Sequence, residues 1–188
     1  FFEMYKKNIL IFGFGRIGKA VAKRCLGFES NVYVYDPHVS PEIITKSKCT
    51  PINKLEGLKL ADYITIHLPL SNETKNFITE KEFKTMKETA IVVNTSRGGI
   101  INENDLEKVL RKKRIRGAGL DVFEKEPPVE NHPIFKLSNV VLSPHNAALT
   151  LECRKRMATE AAENIVYFLN DKKKLNLNNI VNKSEIGI

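Results

Sequence analysis

The chain has 188 residues, 42% of them hydrophobic and 28% charged, with a formal net charge of +8. That is the composition of a globular domain with one substantial core, not of a disordered or fibrous chain. No apolar run approaches the ~20 residues that span a bilayer, and Phe1-Phe2-Glu3-Met4 lacks the basic start and long apolar stretch of a signal peptide, so a cytoplasmic protein without membrane contact is expected.

The first predicted strand, Asn8 to Phe12, runs into Gly13-Phe14-Gly15-Arg16-Ile17-Gly18, and the helix that follows has Ile17, Val21 and Cys25 at i, i+4, i+8 spacing. A second strand, Val32 to Tyr35, ends at Asp36, eighteen residues past Gly18. This is the pattern of a dinucleotide-binding turn. Gly13 permits a tight turn out of the strand, Gly15 lets the backbone close on a pyrophosphate, and Gly18 lets the helix pack on the strand. The free N–H groups and positive dipole end of the helix attract the phosphates before any side chain contributes.

Further strands are predicted at Tyr63 to Ile66, Ala90 to Asn94, Gly117 to Leu120 and Val140 to Leu142, with helical stretches between them. Thr79-Glu80-Lys81-Glu82 has capping-box form, and Asn102 opens a helix whose apolar stripe is Leu106, Val109 and Leu110. A final helix from about Leu149 to Leu169 carries Ala158, Ala161, Ala162, Ile165 and Leu169 on one side. This alternation implies an α/β fold, a doubly wound parallel sheet covered on both faces. Lys172 to Ile188 reads as a polar tail.

The basic runs Arg111–Arg114 and Lys172–Lys174 fall at the ends of predicted helices, where cations meet the negative end of the dipole, and no aromatics interleave them. They therefore give no reason to expect a nucleic-acid partner. Cys25, Cys49 and Cys153 are too few and too widely spaced for a disulfide framework or a zinc site; they read as packing residues, and no metal is expected.

Doubly wound sheets bind ligands at the carboxyl ends of their strands, and the polar residues of this chain accumulate there. After the glycine turn and Asp36 come His67-Leu68-Pro69, then Thr95-Ser96-Arg97, then Asp121 with Glu124 and Glu126, then His145. An acid–base group, a carboxylate to orient it and a fixed cation for an anionic substrate are the parts of a hydride-transfer site for hydroxy acids. Gly98 and Gly99 after Arg97 indicate backbone in close approach to something. Position alone leaves His67 and His145 equal as the proton carrier, and Glu126 alone is an ordinary loop carboxylate. His38 and His132 read as surface residues.

Taken together, Gly13–Gly18, Tyr35-Asp36-Pro37, His67-Leu68-Pro69-Leu70, Asn94–Gly99, Gly119–Pro127 and Ser143-Pro144-His145 resemble the NAD-binding domain of the D-isomer-specific 2-hydroxyacid dehydrogenases, in order and over nearly the whole chain. The resemblance implies NAD as cofactor, with the glycines, Arg16 and Ile17 at the pyrophosphate, Asp36 on the adenosine ribose, and Leu68, Pro69, Thr74, Thr95, Ser96 and Asp121 around the rest of it. It implies that Arg97 binds the substrate carboxylate and carbonyl, that His145 is the acid–base, and that Glu126 orients it. Glutamate at 126 argues against the formate dehydrogenase branch. Asp36–Pro41 looks closest to phosphoglycerate dehydrogenase-like members, which puts phosphoglycerate, glycerate/hydroxypyruvate or glyoxylate substrates ahead of lactate.

The family builds a second, substrate-binding domain mainly from residues before the glycine turn, and this chain starts twelve residues ahead of Gly13. The expectation is therefore a dinucleotide-binding domain over 1–170, a C-terminal tail over 171–188, including Asn178–Asn182, that belongs to an otherwise missing substrate domain, and cofactor binding without turnover. The resemblance also implies a homodimer, with apolar area around Val122-Phe123 and on the final helix available for the contact. A second function class stays open, since the family includes corepressors that keep this fold as NAD(H)-sensing interaction proteins.

Overall fold

Ile9, Leu10, Ile11 and Phe12 are all buried along β1 (Asn8–Phe12), as a strand inside a sheet covered on both faces requires. The computed structural model describes residues 2–177 and 180–185, and its contacts divide the chain into two units, Phe1–His145 and Asn146–Ile188. The first unit also contains β2 (Asn31–Tyr35), β3 (Thr50–Pro51), β4 (Tyr63–Ile66), β5 (Ile91–Asn94), β6 (Gly117–Leu120) and β7 (Val140–Leu142). They form a seven-stranded sheet in the order β3-β2-β1-β4-β5-β6-β7, parallel throughout. This is the expected doubly wound arrangement. Its order reverses between β1 and β4, which opens a crevice at the carboxyl ends of the strands.

Alternating side chains send β1 into two cores. Leu10 and Phe12 join Leu58, Ile64, Ile66, Val92, Leu106 and Leu110, under α3 (Lys54–Leu60), α4 (Glu80–Phe83) and α5 (Glu103–Arg111). Ile9 and Ile11 join Ala22, Cys25, Val32, Val34 and Ile44, under α1 (Arg16–Gly27) and α2 (Pro41–Lys46). Within the first unit the second core stops at Tyr63, and Val141 of β7 is 76% exposed.

The two predicted caps are present. The Glu82 carboxylate accepts from the Thr79 N–H at 3.0 Å and hydroxyl at 2.7 Å, and Asn102 accepts from the Asp105 N–H at 3.0 Å, each cap worth about 1 kcal/mol. Several local expectations are corrected. The buried stripe of α1 is Gly18, Ala22 and Cys25, while Ile17 is 65% exposed. The helix touches the turn at Gly18, and one residue is ~100° of rotation, which turns Ile17 outward. Val122 and Phe123 are buried in the first unit and offer no surface for self-association.

In the second unit, α6 (Leu151–Asn170) is capped by Thr150, whose hydroxyl accepts from the Cys153 N–H at 3.2 Å. No α6 residue is buried; Ile165 and Leu169 on its expected apolar side are exposed, and Cys153 is only half-buried, with its sulfur 3.7 Å from Met157 Sδ. Lys172–Lys174 forms a separate 3-10 turn, so no basic residue occupies the last turn of α6. Of the expected tail motif, Asn178 and Asn179 lie outside the described residues. No helix among the described residues is long and apolar enough to cross a membrane.

Candidate active site

The turn after β1 admits only glycine at two positions, 13 and 18. Gly13 has φ +90°, and a Cβ there would lie 2.6 Å from the His67 carbonyl oxygen; a Cβ on Gly18 would lie 2.0 Å from the Gly13 oxygen. A Cβ on Gly15 would meet nothing within 4 Å, so space is open above the start of α1, where Arg16 and Ile17 are exposed. Gly15 supplies no side-chain cap, which leaves the first N–H groups of α1 without a side-chain acceptor. One strand away, Asp36 is pinned: Oδ2 accepts from the Phe14 N–H at 2.7 Å and Oδ1 from the His38 N–H at 2.9 Å. An open helix start beside a fixed carboxylate fits a dinucleotide.

Beyond β4, Leu68 packs on the core and Pro69 is exposed. The Thr74 hydroxyl donates to the Pro69 carbonyl at 2.6 Å and accepts from the Ser71 N–H at 2.7 Å, closing this loop on itself.

At the end of β5, Asn94 is buried and does what the sequence reading missed. Its Nδ2 donates to the Arg97 carbonyl at 2.9 Å, and its Oδ1 accepts from the Ser96 N–H at 3.0 Å and hydroxyl at 2.8 Å. One amide thus shapes the whole Thr95–Arg97 loop. Thr95 and Arg97 are exposed, and Arg97 Nη1 donates to the Ser96 carbonyl at 2.6 Å. The Asn94 carbonyl accepts from the Asp121 N–H, and buried Asp121 accepts the Ser143 hydroxyl at 2.5 Å, which ties the ends of β5, β6 and β7 together. Ser143 was also missed. A buried amide ending an apolar strand is the signal that could have found Asn94.

His145 Nδ1 lies 2.8 Å from Glu126 Oε2, and Glu126 Oε1 accepts from the Phe123 N–H at 3.0 Å. The His145 bond first, and then the Phe123 N–H, hold the Glu126 carboxyl below the usual carboxylate range. His67 has a different environment. Its Nε2 lies 3.0 Å from the Thr65 hydroxyl, and burial pushes its imidazole down. The two histidines that position could not separate therefore differ in partner. Glu124 is exposed and turned to another carboxylate, its N–H donating to Glu103. His132 is not a surface residue: its side chain is 17% exposed, its Nε2 is 3.3 Å from Glu103, and its Nδ1 accepts from the Ile134 N–H.

Gly98 does come close to something, namely protein. A Cβ on it would lie 1.8 Å from the Phe123 oxygen, so the Arg97 loop and the Phe123 loop meet backbone to backbone. Beside them a cavity of about 460 Å3 is lined by Phe123, Phe135, Leu142 and Pro144, with Glu126 and His145 at its edge. Among the described residues no group of three or more His, Cys, Asp or Glu could hold a metal ion.

Residues 1–147 match the family model for the D-isomer specific 2-hydroxyacid dehydrogenase NAD binding domain. A glyoxylate reductase of Korarchaeum cryptofilum is 43% identical over 170 residues, which are 89% of this chain and 50% of that protein. A D-3-phosphoglycerate dehydrogenase of Methanocaldococcus jannaschii is 39% identical over 181 residues, 96% of this chain and 34% of that protein. Among solved structures, the NAD-complexed D-isomer specific 2-hydroxyacid dehydrogenase of Lactobacillus delbrueckii ssp. bulgaricus superposes with a TM-score of 0.81 at 30% identity, covering 89% of this chain and 52% of its own. The chain thus spans about half the length, or less, of the relatives it matches. With the glycine turn, the parallel sheet and the family match in agreement, the chain belongs to the D-isomer specific 2-hydroxyacid dehydrogenase family, as its NAD-binding domain.

Proposed function

We propose that this chain is the coenzyme half of a cytoplasmic, homodimeric NAD-dependent oxidoreductase acting on a small D-2-hydroxy acid or 2-keto acid of the phosphoglycerate, glycerate/hydroxypyruvate or glyoxylate type. Residues 1–170 are its dinucleotide-binding domain, and 171–188 are a C-terminal tail that belongs to the substrate domain. The observation that carries the reading is the hydrogen-bonded pair of Glu126 and His145 at the strand ends that also bear the glycine turn and the Arg97 loop.

NAD, when bound, supplies or accepts the hydride at the substrate's 2-carbon. The chain's own residues do the rest. Glu126 occupies His145 Nδ1, which leaves Nε2 to give or take the hydroxyl proton. Arg97 meets the substrate carboxylate and carbonyl, and its loop is held in shape by Asn94, so orientation contributes as much as charge. Gly13, Gly15, Gly18, Arg16 and Ile17 hold the pyrophosphate, Asp36 the ribose, and Leu68, Pro69, Thr74, Thr95, Ser96 and Asp121 the remainder.

The test is oxidation of NADH by the full-length protein against a panel of glyoxylate, hydroxypyruvate, phosphohydroxypyruvate and pyruvate. Turnover with at least one of the first three is expected, with His145→Ala slower by on the order of 10²-fold or more in both directions. Tight NADH binding with no turnover on any acid would favour the NAD(H)-sensing, corepressor-like reading instead.

A further inference from the structure

Two adjacent peptide N–H groups each donate to a glutamate, and each glutamate is paired with a histidine. The Phe123 N–H reaches Glu126, which holds His145; the Glu124 N–H reaches Glu103 Oε1, whose Oε2 lies 3.3 Å from His132 Nε2. The peptide between them, Phe123 C=O to Glu124 N–H, is also the one against which Gly98 rests, directly after Arg97. That peptide unit thus adjoins the loop of the proposed cation and a second carboxylate–imidazole pair directly, and the proposed acid–base pair through the N–H of the Val122–Phe123 peptide next to it.

The second pair is the more enclosed of the two. The Glu103 and His132 side chains are 12% and 17% exposed, against 37% and 48% for Glu126 and His145. Burial pushes the Glu103 carboxyl up, with the Glu124 N–H and His132 working against that. His132 is fixed from two sides: its Nδ1 accepts from the Ile134 N–H, which assigns the ring proton to Nε2, facing Glu103. Its ring also meets Phe123 edge-on at 5.8 Å and Phe135 at 5.5 Å. Loose loops do not assemble this set of contacts; a backbone anchor does.

We propose that Glu103 and His132 are positioning residues, an anchor that holds the Phe123–Glu124 peptide so that Glu126 faces His145 and the Arg97 loop keeps its seat. The inference rests on the reading of Glu126 and His145 as the acid–base pair. Neither Glu103 nor His132 touches the reacting atoms. They act through the peptide, so their removal is read at Glu126, which faces His145 and the Phe123 N–H with Asp121 opposing, while Glu103 faces His132 and Glu124.

The experiment is an NMR titration of the Glu126 side-chain carboxyl in the 188-residue chain, with a thermal melt of each variant. Glu103→Ala is expected to raise the Glu126 midpoint by at least about half the rise that His145→Ala causes, because both hydrogen bonds to Glu126 loosen. Glu103→Gln keeps an acceptor for the Glu124 N–H and restores the wild-type midpoint. A folded Glu103→Ala with an unmoved Glu126 midpoint overturns the proposal, since a merely structural loss lowers the melt alone. Should Glu103→Ala fail to fold, His132→Asn decides: asparagine still accepts from the Ile134 N–H but leaves Glu103, and the midpoint must again rise. The readout is a titration, so absence of dehydrogenase activity defeats the proposed function without touching it, and an unmoved midpoint defeats the anchor alone.

Discussion

At the scale of single residues, Glu126 is where charge and geometry can be separated. Gln at 126 can still accept from the Phe123 N–H, but it brings no negative charge to the bond with His145. Hydrogen bonds hold the folded carboxyl low, so they stabilise the loop fully above the ordinary glutamate range, and that contribution is lost as pH falls through the depressed value. Glu126→Gln should remove this acid-side loss of stability in melts taken across the pH range. On the proposed assignment, keto-acid reduction in the full-length enzyme draws its proton from His145. The same variant should therefore slow keto-acid reduction at saturating NADH and leave NADH affinity alone; an unchanged rate would make Glu126 a solvated carboxylate. Asp36 sets a second test. Its carboxylate is fixed by the Phe14 and His38 N–H groups, and at the proposed ribose position it would accept from hydroxyls and repel a 2′-phosphate. NADH should bind this chain at least about tenfold more tightly than NADPH, about 1.4 kcal/mol. Fluorescence titration of both reduced cofactors measures it, and equal or tighter NADPH binding contradicts the assignment.

At the scale of elements, what was legible in the sequence is what local sterics dictate. The glycine turn could be read because Gly13 and Gly18 each answer a backbone condition that no other residue meets, and the structure gives both conditions as distances. Strands β1, β4 and β6 could be read because buried parallel strands are short apolar runs bounded by turns, and β7 as an apolar run although it is not buried. β3 could not, because a two-residue edge strand carries no period. Relations between elements were the harder part. Asn94 ends β5 as one polar residue among many, and its role exists only because the next three residues turn back over its amide. Gly98 was rightly read as a close approach, but the partner, the Phe123 carbonyl, is 25 positions away and belongs to another strand's loop. Ile17 shows the limit of periodicity on a first helical turn, where packing begins one residue later at Gly18.

At the scale of the whole molecule, the question is what the exposed apolar side of α6 does in the proposed homodimer. Val122 and Phe123 are buried in the first unit, which leaves α6 of the two expected contact regions, with Met157, Ile165, Val166 and Leu169 exposed on it. Burying Ile165 and Leu169 in both protomers contributes about 6–12 kcal/mol at 1.5–3 kcal/mol for each side chain, against an association cost of about 4–15 kcal/mol. The two terms nearly balance, which makes these side chains decisive for whether the pair forms. Sedimentation of the 188-residue chain at micromolar concentration should give a dimer, and Ile165→Lys with Leu169→Lys should give a folded monomer, because both side chains are exposed in the single chain. A monomer for the unaltered chain, or a dimer that ignores both lysines, would take α6 out of the interface and return the contact to the half of the enzyme that its longer relatives possess.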